Sequence, residues 1–423
     1  MKPVSLVQAL VATVSSAVAV ASSSPIMAQY WPAYNADVQA ASAVNFEYAD
    51  IAYYFVTVTT ATGFEVPEGQ STADIATFVS SAKAAGSKPV FSVGGWSGSR
   101  YFSTLTDTAE KRSTLANSLK AFMDQYGFVG IDFDWEYPNS QGLGCNAISP
   151  NDSANFLSLL QTVRSLVGSS GILTAAVSTS GLMGPDGTAL SDFSDFATYL
   201  DYINLMTYDV SGSWSPTTGP NSPLRRCKSD TSVETAVKLW TSRGFPAEKI
   251  LLGIPSYAVS FTTTSSTLSP VSIKGGHWTS YLYQDWTKVT PQGAPGDSNA
   301  PGTDECGNSY TGSYSGQWQY NQLIENGLLT ANGTAGASGY TRRYDACAQT
   351  PFLFNDQTRT LIAYDDAQSA SAKAAWAKTN GLAGVMIFDS TGFDASVLSS
   401  IRSSLLSRKT RRHQIYDLHR STA

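Results

Sequence analysis

Short apolar runs recur along the chain, separated by amphipathic stretches. Runs at 27–31, 51–56, 88–94, 129–136, 173–178, 202–208, 250–257 and 384–388 have the length and apolar content of buried strands. Between them, stretches such as 109–127 and 151–168 repeat apolar residues at helical spacing, and Asn151 or Asp152 can cap the second. Eight such strand–helix units predict an α/β fold, a (β/α)8 barrel with its site at the C-terminal ends of the strands. The rhythm breaks once, between the seventh and eighth runs. That interval, 259–358, is rich in Gly, Ser, Thr and aromatic residues and is too long for a structureless loop. It is expected to be a small inserted domain on the catalytic face, which leaves 22–258 and 359–407 for the barrel.

The fourth run is unlike the others. In Gly130-Ile-Asp-Phe-Asp-Trp-Glu-Tyr-Pro138, three acids alternate with large apolar residues, so a strand would send Asp132, Asp134 and Glu136 to one face and Ile131, Phe133 and Trp135 to the other. With the apolar set under helices, the acidic set lies inside the barrel, and Glu136 comes nearest its mouth. Like-charged groups enclosed together must share protons, which raises at least one carboxyl toward neutral pH. A carboxylic acid still protonated there is what glycosidic bond cleavage requires. An edge strand with a solvated acidic face fits the flanking Trp135 and Tyr137-Pro138 poorly. A calcium loop would need glycines and loop formers that the segment lacks.

Charge and composition narrow the field. The formal net charge is -6, but the last 22 residues hold six of the 27 cations and only Asp417 among acids, leaving the rest near -11. That balance argues against nucleic acid as a partner. The chain has three histidines, His277, His413 and His419, the last two in the basic tail at 408–423, so neither a Ser-His-Asp triad nor a histidine metal site is expected. Gly94 and Gly95 lack the context of a phosphate loop, and no cofactor is implied. Lys2, an apolar stretch over 4–20 and Ala19-Val-Ala21 read as a secretory signal peptide at 1–21, giving a secreted, extracellular protein with no membrane association after cleavage. Four cysteines in an exported chain suggest two disulfides, and Cys306–Cys347 with Cys145–Cys227 is the pairing favoured. Asn151-Asp-Ser153 and Asn332-Gly-Thr334 are glycosylation sequons.

These motifs carry a resemblance. The chain resembles the family-18 glycoside hydrolases, the chitinases, whose fourth strand reads D-x-x-D-x-D-x-E. Here the segment is Val129-Gly-Ile-Asp132-Phe-Asp134-Trp-Glu136, with valine at the first acid. Ser92-Val-Gly94-Gly95-Trp96 is similar to the third-strand motif, Met206-Thr-Tyr208-Asp209 to the sixth and Gly384-Val-Met-Ile-Phe388 to the eighth. Leu252-Gly-Ile-Pro-Ser-Tyr257 is similar to the seventh strand. Gly339-Tyr-Thr-Arg342 and Tyr364-Asp365-Asp366 match the end of the family's inserted α+β domain.

The resemblance implies hydrolysis of β-1,4-N-acetylglucosamine linkages in chitin by a retaining, substrate-assisted mechanism, in a monomer whose partners are chitin and its oligosaccharides. Glu136 would serve as acid and base, and Asp134 with Tyr208 would hold the substrate's acetamido group. Asp132 would balance the proton beneath, and Asp209 would contact the sugar. Trp96, Gly95, Tyr137, Met206 and Trp214 would line the cleft, joined by Tyr30, Phe55 and Phe388. Phe388 stands where the family usually has tryptophan, and Ala258-Val259 where it often has Gly-Arg. Two other functions stay open at this point: a catalytically silent chitin-binding lectin, and an endo-β-N-acetylglucosaminidase acting on N-glycans.

Overall fold

The structure is a computed structural model and describes residues 24–67 and 70–407. The expected signal peptide at 1–21 and the basic tail at 408–423 lie outside the described residues. Eight parallel strands form the centre: Ile26–Pro32 (β1), Ile51–Thr60 (β2), Lys88–Gly94 (β3), Gly130–Asp134 (β4), Ile172–Val177 (β5), Tyr202–Leu205 (β6), Ile250–Pro255 (β7) and Gly384–Phe388 (β8). Each pairs with its neighbour in chain order, and β1 pairs with both β2 and β8, which closes the barrel. All eight predicted strands are present with shifted ends. β4 stops at Asp134 because the loop after β3 takes that carbonyl: Gly95 N–H donates to it at 2.7 Å and Ser99 Oγ at 2.9 Å. Gly94 makes this approach possible, since its φ is +116° and a Cβ there would lie 2.1 Å from the Asp134 oxygen.

Helices between the strands form the outer layer. Ala109–Tyr126 starts where the Thr108 side chain accepts from Lys111 N–H and ends at Gly127, which has φ 75°. It turns Leu115, Ala116, Leu119 and Met123 inward. Beneath the helices, Ile131, Phe133 and Trp135 join the buried core, and Trp135 stacks on Phe102 at 5.0 Å between ring centroids. Asp132 and Asp134 therefore face the barrel interior, as the alternation predicts.

Between β7 and β8 sits the α+β insertion. Its antiparallel sheet runs Trp318–Gln319, Tyr257–Thr262, Thr360–Ala363, Thr350–Asn355, Tyr340–Asp345, and the helix Tyr320–Glu325 follows the first of these. The sheet thus draws in residues on either side of 259–358. It has its own core, with Phe261, Leu282, Trp286, Phe352 and Leu361. Where the chain re-enters the barrel, Lys373 pairs with Asp365, and both are fully buried.

The disulfides correct the favoured pairing. They are Cys145–Cys306 and Cys227–Cys347, with Cα atoms 5.6 and 6.0 Å apart. Each joins a barrel loop to the insertion, because the insertion folds back over the strand ends instead of bridging within itself.

Candidate active site

At the C-terminal mouth of the barrel lies a cleft of about 920 Å³. The acids of β4 descend from it as a ladder. Glu136 and Asp134 line the cleft, and Asp132 lies below, fully buried. Parallel pairing puts Ser92 of β3 and Thr174 of β5 directly beside Asp132. Asp132 accepts from Tyr30 Oη at 2.7 Å, Ser92 Oγ at 2.7 Å, Thr174 Oγ1 at 2.6 Å and Asn204 Nδ2 at 3.2 Å. Above it, Glu136 N–H donates to Ser99 Oγ at 2.9 Å, which fixes the backbone that carries the terminal acid.

Burial sets the electrostatics. Desolvation raises the Asp132 carboxyl, and its four hydrogen-bond donors pull it back toward the charged form. Asp134 rises well above the usual carboxylate range through desolvation, then through the charges of Glu136 and Asp132. Its Oδ1 is buried with no hydrogen-bond partner among the described residues. Of the two, Asp134 is pushed more strongly toward its protonated form, whereas the four donors around Asp132 stabilise its charge. Desolvation pushes Glu136 up to about 7; Tyr137's hydrogen bond lowers it, and the nearby Asp209 charge raises it. A carboxyl in that range can both give and take a proton near neutral pH.

The cleft gathers the other predicted residues. Tyr208 and Asp209, just beyond β6, line it beside Asp134 and Glu136, and Asp209 is held in the left-handed region at φ 55° by its N–H bond to Asn221 Oδ1. Gly95, Tyr137 and Met206 are part of the wall. Tyr30, Phe55 and Phe388 close the floor, with Phe388 5.8 Å from Tyr30, 5.7 Å from Phe55 and 5.7 Å from Tyr208 between ring centroids. Trp96 and Trp214 stand on the rim, 51% and 65% exposed, which leaves large apolar ring surface facing solvent. Outward rings of this size above the acids of the cleft suit the apolar faces of a ligand.

Several members of the site have no signal in the acid ladder. Tyr257 Oη donates to Asp209 Oδ1 at 2.6 Å; in the sequence it closes the seventh-strand motif, which assigns it no role at the site. Asn204 meets Asp132 from β6, and only its even spacing from Tyr202 marks it as inward-facing. Tyr34 and Gln317 also line the cleft, Gln317 from the insertion, where no periodicity points to it.

Comparison with known proteins agrees with this geometry. The family model described as glycosyl hydrolases family 18 matches residues 26–392. A "chitinase-like effector" of Moniliophthora roreri is 34% identical over 390 residues, covering 90% of this chain and 93% of that protein. Chitotriosidase-1 of Mus musculus is 33% identical over 319 residues, 71% of this chain and 57% of that one. Among solved structures, a chitinase from Rhizomucor miehei superposes with a TM-score of 0.79 at 28% identity, over 90% of this chain and 99% of that chain. With its barrel, its acid ladder and a family match along nearly its whole described length, the chain belongs to glycosyl hydrolase family 18.

Proposed function

We propose that the protein is a secreted chitinase that hydrolyses β-1,4-N-acetylglucosamine linkages with retention of configuration. The observation that carries this reading is Glu136, raised toward neutrality at the cleft, above Asp134 with an unsatisfied buried oxygen. Glu136 donates its proton to the leaving glycosidic oxygen. The carbonyl oxygen of the sugar's own 2-acetamido group attacks the anomeric carbon from the opposite face, so no carboxylate nucleophile is needed. Asp134 and Tyr208 hold the acetamido group as it becomes a positively charged oxazolinium, and the unsatisfied Asp134 oxygen gains a partner. Glu136, now ionised, removes a proton from the incoming water. Asp132 stays charged beneath Asp134 and stabilises the positive intermediate, and Trp96, Tyr137 and Trp214 support the pyranose faces.

The test is stereochemical. Hydrolysis of chitopentaose, followed by proton NMR before mutarotation, should give the β-anomer first. Appearance of the α-anomer first would rule out substrate assistance. Parallel assays on colloidal chitin and a high-mannose glycoprotein separate chitin hydrolysis from cleavage of N-glycan cores, and activity on chitin alone is expected.

A second reading is favoured by two observations: the relatives named "chitinase-like effector" and Phe388 at a floor position usually held by tryptophan. On that reading the cleft binds chitin fragments without cutting them. Against it stands the intact ladder, since a binding protein has no use for an acid poised near 7.

A further inference from the structure

Of the aromatic rings that line the cleft, Trp214 is the most exposed, yet its seat is fixed. The turn that carries it closes on itself, because Ser215 N–H donates to the Gly212 carbonyl at 2.9 Å and Gly212 N–H donates to Ser215 Oγ at 3.0 Å. The six-membered ring of the indole lies over Gly212, where a Cβ would come within 2.4 Å of it. Only glycine leaves that seat open.

The insertion holds this turn from the other side. The Ser215 carbonyl accepts from Trp286 Nε1 at 3.0 Å and from Lys288 Nζ at 2.6 Å, and the same ammonium donates to the Pro216 carbonyl at 2.8 Å. Trp286 belongs to the insertion's own core, 5.3 Å from Phe261 between ring centroids, and Lys288 Nζ stands 4.7 Å from the centre of the Trp286 ring. Thr218 ties the loop down again, its N–H donating to the Gln284 carbonyl at 2.9 Å and its Oγ1 accepting from Gln284 N–H at 2.9 Å. Asp209, at the start of the same loop, is held by Asn221 and Tyr257 instead. Ring and acid thus rest on separate contacts.

A charged donor bonds a carbonyl more strongly than a neutral one does. A side chain ordered in advance also spares the ligand the cost of ordering it. We infer that Lys288 is a positioning residue: through Ser215 and Pro216 it keeps Trp214 as a fixed platform, and so sets the affinity that a chitooligosaccharide draws from the rim of the cleft. This inference rests on the chitin reading of the cleft.

The test is a double-mutant cycle read by calorimetric binding of chitohexaose. All proteins carry Glu136→Gln so that the ligand survives. The parent is compared with Lys288→Met, with Trp214→Ala and with the two changes combined; thermal melting checks that each folds. Lys288→Met should weaken binding by about 3- to 10-fold, the factor that ordering one side chain is worth. Trp214→Ala should weaken it at least as much, and Lys288→Met should cost nothing further once Trp214 is gone, because Lys288 acts through that ring alone. A merely structural Lys288 would give the same loss with or without Trp214. That result, or hexaose binding left unchanged by Lys288→Met, overturns the proposal. Hexaose failing to bind the parent overturns the chitin reading, and the inference falls with it.

Discussion

Each carboxyl at the site does what its surroundings allow, so single substitutions should separate their roles. Glu136 binds its proton more tightly in the folded chain than its ordinary value of 4.5 would give. Its contribution to stability is then fully present below about 4.5 and is lost as pH rises through about 7. Glu136→Gln removes this loss, so in denaturant titrations the variant should match the wild type at pH 4 and exceed it at pH 8 by up to ~3 kcal/mol. Equal stability at both pH values would show that Glu136 ionises without penalty. Tyr257→Phe acts through Asp209, which loses the 2.6 Å hydrogen bond that lowers its pKa. A more protonated Asp209 repels Glu136 less, and Glu136 then ionises at lower pH. The basic limb of the kcat/KM profile should shift downward, and an unmoved limb would detach Asp209 from the acid. At this scale the sequence was most legible where period two isolates the acids of one strand. It was least so for Tyr257 and Asn204, which reach the site from other strands and differ little from core residues.

Elements explain why these side chains stay put. The ladder of β4 is held by Ser92 on one neighbour and Thr174 on the other, and the loop after β3 caps its end through Gly95 and Ser99. Strands and helices were readable because burial on both faces leaves continuous apolar runs, and helical periodicity then marks the layer outside. The insertion was readable only as an interruption, since its strands are short and pair across long distances in the chain. Its return to the barrel depends on the buried Lys373–Asp365 pair, whose Asp365 Oδ2 has no partner among the described residues. Lys373→Met leaves an unpaired buried carboxylate and should cost about 3–5 kcal/mol in urea unfolding, whereas Lys373→Met with Asp365→Leu should recover much of that loss. A single variant as stable as wild type would mean the pair is not what holds the junction.

Across the whole molecule, two disulfides tie insertion to barrel, and the sequence could not choose among pairings because cysteine spacing carries no information about which loops meet. Cys227–Cys347 joins residues 120 apart in the chain. Its removal by paired serines should lower stability by about 2–4 kcal/mol, mainly by loosening the unfolded state, and leave turnover of a small glycoside unchanged. A large change in turnover would mean that this bridge shapes the cleft as well. Barrel, insertion and ladder together make one claim, that Glu136 is the acid of a working glycosidase. Release of fluorophore from a chitotriose glycoside by wild type and Glu136→Gln measures it directly. The account predicts that the variant still binds the glycoside but is slower by about 10²–10⁴-fold. Equal rates for the two proteins, or none for either while binding persists, would contradict it.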